Sequence, residues 1–444
     1  VDRVETAERW LADDPDPVTR RELKQLLDRG DHDGINECFG ASLTFEDGGL
    51  RGRMGPGPNR MNRVTVIRAT AGLCRWLRQQ LPNAAERGVC VGFDARKMSR
   101  ELATDAAGVI AGAGFQVWIL DGEMPTPVLA FSVLETGAAA GVMITGGERP
   151  ASWNGYEVFG ANGAQIISPH EEGITQEIAK IESASNVPRW TRHEAIAQGR
   201  MQALNDLVER YRERVVSLIG PASEARRLPI AYSALHGVGD RLVRVVLGAT
   251  GFAGLESVTS QADPDGRFPT IESPSPQEPE ALEKVLALAK KINAELVLVN
   301  DADAGRLAVA APSHDGYELL SGDDVGCLLA DDLLERDDRA AKRVVLSTTA
   351  GSPLLGKIAD AHGARWEQTG AGQGRIQHRA LELEAEGYGY VIGFDDWGYA
   401  ATTFVRDRDG VSAALLVADL AARCKARGRT LLEQREAMRR RYDY

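Results

Sequence analysis

The stretch Gly141-Val-Met-Ile-Thr-Gly-Gly-Glu-Arg-Pro-Ala-Ser-Trp-Asn-Gly-Tyr156 runs from a short apolar, β-branched segment into a glycine-rich turn that carries an acid and a base. Residues 142–145 read as a buried strand, and the turn after it places charged side chains just beyond the strand's carboxyl end. In open α/β sheets that is where ligands gather. Runs of the same kind recur along the chain at 89–93, 117–120, 228–233, 296–300, 344–348 and 390–394. They alternate with helical stretches such as 100–113 and 279–291. Strand–helix alternation of this kind implies βαβ units and mainly parallel sheets covered on both faces.

The expected fold class is therefore α/β, with three consecutive α/β domains built on mainly parallel mixed sheets. The polar stretch around 186–200 and the Pro-Ser-His-Asp-Gly turn at 312–316 set the expected divisions at 40–200, 201–311 and 312–444. A new helix is expected at 201–219. Residues 1–39, with Trp10, Leu11, Leu23, Leu26 and Leu27 among charges and an Asp-Asp-Pro-Asp-Pro interruption at 13–17, read as an N-terminal helical cap. The Pro-, Asp- and Ser-rich stretch 261–280 reads as a long functional or covering loop.

Composition narrows the function classes. With 52 Lys+Arg against 64 Asp+Glu, the net charge of −12 opposes a nucleic-acid-binding surface over the whole molecule, while leaving room for a local basic pocket. No apolar run approaches the roughly 18–20 residues of a membrane span. The charged start Val1-Asp-Arg-Val-Glu-Thr has no apolar signal core, so no export is expected from it. The five scattered cysteines (Cys38, Cys74, Cys90, Cys327, Cys424) read as reduced structural thiols of a cytoplasmic protein.

Several motifs follow these strands in a fixed order: Phe45-Glu-Asp-Gly-Gly-Leu-Arg-Gly-Arg53, Gly92-Phe-Asp-Ala-Arg96, Pro125-Thr-Pro127, the 141–156 stretch, Leu235-His-Gly-Val-Gly239 and Asn300-Asp-Ala-Asp-Ala-Gly-Arg306. Together they resemble the α-D-phosphohexomutase family, in its phosphoglucomutase and phosphopentomutase branch, from about residue 10 to residue 420. The resemblance implies a four-domain mutase that passes a phosphoryl group through an active-site serine, with Mg2+ held by three aspartates. Phosphoryl transfer depends on positioning and charge neutralisation, so departures at those loops decide what chemistry is left.

The family's nucleophile loop, Thr-Ala-Ser-His-Asn-Pro, is here Thr145-Gly-Gly-Glu-Arg-Pro150, and Gly147 occupies the serine's place. A glycine cannot carry a phosphoryl group. The following Asn-Gly-Tyr-Lys becomes Asn154-Gly-Tyr-Glu157. The metal loop Asp-Pro-Asp-Ala-Asp-Arg keeps Asp301 and Asp303 and has Gly305 in place of the third aspartate. Two carboxylates either hold Mg2+ weakly, with Glu148 completing the set, or are solvated or paired with Arg306. The sugar-recognition loop becomes Gly393-Phe-Asp-Asp-Trp-Gly-Tyr399: Asp395 and Asp396 replace glutamates, and Trp397 either stacks on a ligand or plugs the cleft. In the third domain, Arg375 is the cation nearest the position of a family lysine. His236 reads as a structural turn histidine.

The catalytic candidates are thus Glu148, Asp301 and Asp303, and the ligand-binding candidates are Arg51, Arg96, Arg149, Arg306, Asp395, Asp396 and Trp397. No counterpart of the family's fourth domain is expected. The basic tail Arg439-Arg-Arg-Tyr-Asp-Tyr444 is the expected contact for a partner chain or second copy covering that side. Three readings follow: a protein of sugar-phosphate metabolism whose rebuilt cleft binds a phosphorylated sugar or nucleotide for a non-mutase reaction; a non-catalytic binding or partner-regulating protein; or a mutase fed by an external phosphoryl carrier.

Overall fold

A computed structural model describes residues 3–336 and 342–444. The chain divides into two compact units, residues 1–124 with 132–205, and residues 125–131 with 206–444.

The first unit begins with three helices, Arg3–Asp13, Pro17–Asp28 and His32–Phe39. The Asp-Pro interruption is the boundary between the first two. Asp16 caps the second helix by accepting from the Val18 amide, and Pro17 takes the first helical position, where its missing N–H costs nothing. The helices bury Ala7, Trp10, Leu23, Ile35 and Phe39 against Val64, Ile67 and Val109, and Trp10 meets Phe39 edge-on at 5.8 Å between ring centres. Beyond them lies a six-stranded sheet of β1 (Gly49–Arg53), β2 (Val89–Phe93), β3 (Val117–Ile119), β4 (Ala140–Ile144), β5 (Trp153–Gly160) and β6 (Met201–Ala203). Its order is β1-β5-β4-β2-β3-β6, parallel from β4 to β6 and antiparallel at the β1 side. The helix expected from residue 201 begins instead at Leu207, because Met201–Ala203 pairs in parallel with β3 as an edge strand.

The second unit carries two sheets. One contains β7 (Ile230–Ser233), β8 (Leu255–Ser257), β9 (Leu296–Asn300), β10 (Leu307–Ser313) and β11 (Gly316–Leu319), in the order β11-β10-β9-β7-β8. The other contains β12 (Arg343–Thr348), β13 (Arg365–Thr369), β14 (Gly389–Asp395) and β15 (Gly398–Ala400), in the order β13-β12-β14-β15. Each has a parallel centre and an antiparallel edge, so the mixed α/β architecture expected from the strand–helix alternation is the one observed. The central strands β2, β4 and β9 are buried at every position, which is why they read as unbroken apolar runs.

The C-terminal helix Leu431–Arg441 packs inside the second unit. Arg439 donates to Asp324 Oδ1 at 2.8 Å, and Tyr442 donates to Asp331. Arg441 lies 3.5 Å from Asp331 Oδ2. The basic tail offered above as a partner contact is therefore largely engaged by the acidic helix Gly322–Arg336 of its own unit. All five cysteines are buried and unbridged, and burial pushes the Cys74 and Cys90 thiols up to about 12, so neither is a ready nucleophile. Among the described residues, no helix is long and apolar enough to cross a membrane.

Candidate functional site

In the first unit, the parallel pairing of β2 with β4 sets Phe93 opposite Ile144. Asp94 and Thr145 consequently leave adjacent strands side by side, and Thr145 Oγ1 donates to Asp94 Oδ2 at 2.8 Å. Asp94 Oδ1 also accepts from Ser99 Oγ and from the Arg96 amide. Burial raises this carboxyl above its ordinary range, against the opposing pull of the Arg96 guanidinium at 3.4 Å.

Arg96 holds the glycine-rich turn together. Its Nη1 donates to Pro150 O at 2.8 Å and to Trp153 O at 3.2 Å, and its Nη2 donates to Gly147 O at 2.7 Å and to Arg149 O. Only 4 % exposed, this guanidinium is a clamp on the loop's carbonyls, a different duty from the anion contact expected of it. Gly146 makes the clamp possible, since a Cβ there would sit 2.8 Å from Arg96 Nε. Gly147, by contrast, has φ +53° and nothing within 4 Å of where its Cβ would be. The backbone of the nucleophile loop thus has room at the position where this chain has no side chain. Glu148 is half-buried and Arg149 exposed, with the Arg149 guanidinium 5.6 Å from the Trp153 ring centre. Ser152, also exposed, lies past Pro150 on the way into β5.

Arg51 and Glu157 explain one another. In the β1–β5 ladder Arg51 faces Gly155 and Gly49 faces Glu157, so the two charged side chains are diagonal neighbours on one face. Arg51 Nη2 donates to Glu157 Oε1 at 2.6 Å, and Gln165 donates to the other oxygen at 3.1 Å. The acid that replaces the family's lysine neutralises the arginine beside it. Arg51 is tied down by that pair and by a bond from Nη1 to Glu46 O at 2.9 Å.

In the second unit, Ser233 pairs in parallel with Val299, so the turns after β7 and β9 leave the sheet together. The Val238 amide donates to Ala302 O at 2.8 Å, and Gly237 allows that approach, because a Cβ there would lie 2.4 Å from the same oxygen. Asp301 and Asp303 are both buried. Asp301 Oδ1 accepts from the Arg306 amide at 2.9 Å, and Asp303 Oδ2 accepts from Thr126 Oγ1 at 2.5 Å. A Cβ at Gly305 would make ordinary contacts, 3.5 Å from Asp303 Oδ1 and 3.9 Å from Arg408 Cβ. Among the described residues, no group of three or more His, Cys, Asp or Glu side chains is placed to hold a metal. Asp301 and Asp303, with Gly305 at the third position, supply two of the three carboxylates that the resemblance implies, and each already accepts a hydrogen bond within its surroundings.

The same unit brings the β14–β15 turn to this loop. Leu307 N donates to Trp397 O at 2.9 Å, and Arg306 forms an isolated bridge with Gly398. Arg306, Asp396 and Trp397 are thereby neighbours along one edge, with Asp396 exposed and Trp397 half-buried. Asp395 is committed elsewhere: Arg408 grips both its oxygens, at 3.0 Å and 2.6 Å. Gly398 permits this, since a Cβ there would meet Arg408 Cδ at 2.3 Å. Arg408 was not among the sequence candidates. Arg375 is exposed at the start of helix Gln373–Ala385.

His236 has φ +62° and bonds Thr270 Oγ1 through Nε2 at 2.9 Å, while Gln261 reaches the same hydroxyl and Ser233. These bonds pin part of the long loop 261–280 onto the turn. Burial lowers the His236 imidazole below its ordinary range.

Comparison with known proteins agrees with this architecture. Residues 42–185, 209–314 and 321–442 match, in order, the models for α/β/α domains I, II and III of phosphoglucomutase/phosphomannomutase. The chain is 35 % identical to the phosphopentomutase of Mus musculus over 469 aligned positions, covering 99 % of this chain and 74 % of the relative. It is 32 % identical to the glucose 1,6-bisphosphate synthase of the same species, covering 96 % of this chain and 71 % of the relative. A solved phosphoglucomutase/phosphomannomutase family protein from Burkholderia thailandensis shares the fold, with a TM-score of 0.69 at 21 % identity over 85 % of this chain and 76 % of its own. With three domain models matched in sequence order and a relative of this identity spanning nearly its whole length, the chain belongs to the α-D-phosphohexomutase family.

Proposed function

We propose that this phosphohexomutase family member binds a phosphorylated sugar, of the pentose phosphate class, without passing a phosphoryl group through its nucleophile loop. The observation that carries the reading is Gly147: the loop around it is fully braced by Arg96, Asp94 and Thr145, yet the position offers no atom that can be phosphorylated. Beside it, Glu148 is the acid or base candidate for chemistry that needs no phosphoenzyme, and Arg149 an exposed anion contact.

In the second unit Arg306 would meet the phosphoryl group, Asp396 would accept from sugar hydroxyls, and Trp397 would cover the ring's apolar face. Asp395, held by Arg408, sets the turn. Asp301 and Asp303 brace the loop through Arg306 N and Thr126, and no step is assigned to Mg2+. The named relatives, a phosphopentomutase and a glucose 1,6-bisphosphate synthase, support the sugar-phosphate class.

Titration calorimetry with ribose 5-phosphate and glucose 6-phosphate tests the binding half of the proposal. Saturable binding that Arg306→Ala weakens by about tenfold or more is expected, from the loss of one charge-assisted contact. Absence of binding by any pentose or hexose phosphate would refute it.

A further inference from the structure

The segment Pro125–Phe131 is flanked in sequence by strands of the first unit, yet it packs as part of the second. It opens helix Thr126–Thr136, and both of its ends are fixed within that unit. Phe131 meets the Tyr211 and Phe404 rings edge-on, with ring centres 5.6 Å and 6.1 Å away, and Tyr211 donates in turn to Asp409 Oδ1 at 2.6 Å. At the other end Thr126, only 3 % exposed, grips Asp303 twice. Its amide donates to Asp303 O at 3.0 Å and its hydroxyl to Asp303 Oδ2 at 2.5 Å.

The grip falls beside a strained turn. Ala304, the next residue, has φ +56°, a left-handed conformation that disfavours any residue with a Cβ. Such a conformation persists only where the surroundings impose it. Three backbone bonds do so here: the Thr126 amide to Asp303 O, the Ala304 amide to Asp301 O at 3.2 Å, and the Gly410 amide to Ala304 O at 3.0 Å. The Thr126 hydroxyl adds a fourth point, on the side chain. With Oδ2 held there, Asp303 Oδ1 stands 3.5 Å from where a Gly305 Cβ would be, so the carboxylate lies along the backbone that leads to Arg306. Arg306 follows at once, and the chain enters β10 at Leu307.

We infer that Thr126 is a positioning residue for the ligand site of the second unit: through Asp303 it holds the turn at 304–306 in the shape that presents the Arg306 guanidinium to a phosphoryl group. The ligand in this inference rests on the sugar-phosphate reading above, whereas the hold on the turn exists with or without a ligand.

Hydrogen exchange followed by mass spectrometry tests the hold, and titration calorimetry with ribose 5-phosphate tests its consequence. Thr126→Val keeps the shape and the amide but loses the hydroxyl. It should quicken exchange in the peptide spanning 300–310 about tenfold and raise the dissociation constant about tenfold, from the loss of one charge-assisted bond. Thr126→Ser should restore both. Adding Thr126→Val to Arg306→Ala should weaken binding no further, because Thr126 acts through that guanidinium. Val285→Ala, a buried core change in the same unit, should lower the melting temperature and leave the dissociation constant unchanged. Should Thr126→Val not fold, Thr126→Val/Asp303→Asn strands no charge and should show the same faster exchange. Unchanged exchange at 300–310 without the hydroxyl, or Thr126→Ser failing to restore it, would overturn the inference. So would an unaltered dissociation constant in Thr126→Val. A wild type that binds no sugar phosphate would refute the ligand reading and with it the role of Arg306, while the exchange result would decide the hold on the turn separately.

Discussion

Replacing Arg96 by methionine should be among the most damaging single changes in the first unit. The substitution keeps an unbranched apolar stem and removes the donors that reach the Pro150, Trp153, Gly147 and Arg149 carbonyls. It also leaves Asp94, 1 % exposed, without its cation. Removing one partner of a buried ion pair costs roughly 3–5 kcal/mol, much of it from the stranded charge. Hydrogen bonds to a charged group are worth about 1.5–3 kcal/mol each, and water entering the loosened turn recovers part of that. A loss of about 4 kcal/mol follows, or about 8–16 °C in melting temperature for a unit of this size. Thermal unfolding monitored by calorimetry reads it directly.

Asp94 supplies an internal check on the cause. Without Arg96 its folded-state pKa, already raised by burial, rises further above the ordinary 3.8, so the native state binds the extra proton. The deficit of Arg96→Met relative to the wild type should therefore shrink as pH falls through the raised pKa toward 3.8. The double variant Asp94→Asn/Arg96→Met should be more stable than the sum of the single losses. A drop of only 1–2 °C for Arg96→Met, on the order of 0.5 kcal/mol, would show that the clamp is decorative and refute the reasoning.

Two neighbouring glycines should respond differently. Gly147→Ser meets no atom and pays only for its left-handed backbone, about 1 kcal/mol, whereas Gly146→Ala drives a Cβ into Arg96 and should cost about 2 kcal/mol or more, as urea unfolding would show. Gly305→Asp should create a divalent-cation site, because its Cβ would stand 3.5 Å from Asp303 Oδ1 and so add a third carboxylate to the loop; Mn2+ titration followed by electron spin resonance should show tighter binding in the variant, and unchanged Mn2+ affinity would contradict the geometry. The lowered His236 pKa gives stability that is complete above the ordinary 6.5 and declines as pH falls toward the folded value, since the unfolded chain takes up the proton first. His236→Asn, which tolerates the positive φ, should flatten melting temperature against pH in that window; an unchanged slope would remove His236 as the cause.

What could be read from the sequence follows burial. Strands covered on both faces, such as Val89–Phe93 and Leu296–Asn300, are continuous apolar runs and were located to the residue. Edge strands carry no such signal: β1 is Gly-Leu-Arg-Gly-Arg, and β13 is Arg-Trp-Glu-Gln-Thr. At Met201–Ala203 three residues could not outweigh the helical pattern that follows. The site's composition was legible but its pairings were not. Arg51 and Glu157 were both singled out, yet only the β1–β5 register makes them partners. Thr126 stood in a noted Pro-Thr-Pro, 177 residues from the Asp303 it contacts. Arg408 lies in Arg-Asp-Arg-Asp409, a charge run of the kind that usually faces water, and nothing local marks it as the partner of Asp395.

The central claim is that this family member forms no phosphoenzyme at residue 147 although its loop is built to present one. Incubation with glucose 1,6-bisphosphate followed by intact-protein and peptide mass spectrometry tests it most directly, with Gly147→Ser alongside. The account predicts no added phosphoryl group on the wild-type peptide spanning 141–156. A phosphoryl group found there on the native chain, on Ser152 or any other residue, would contradict it.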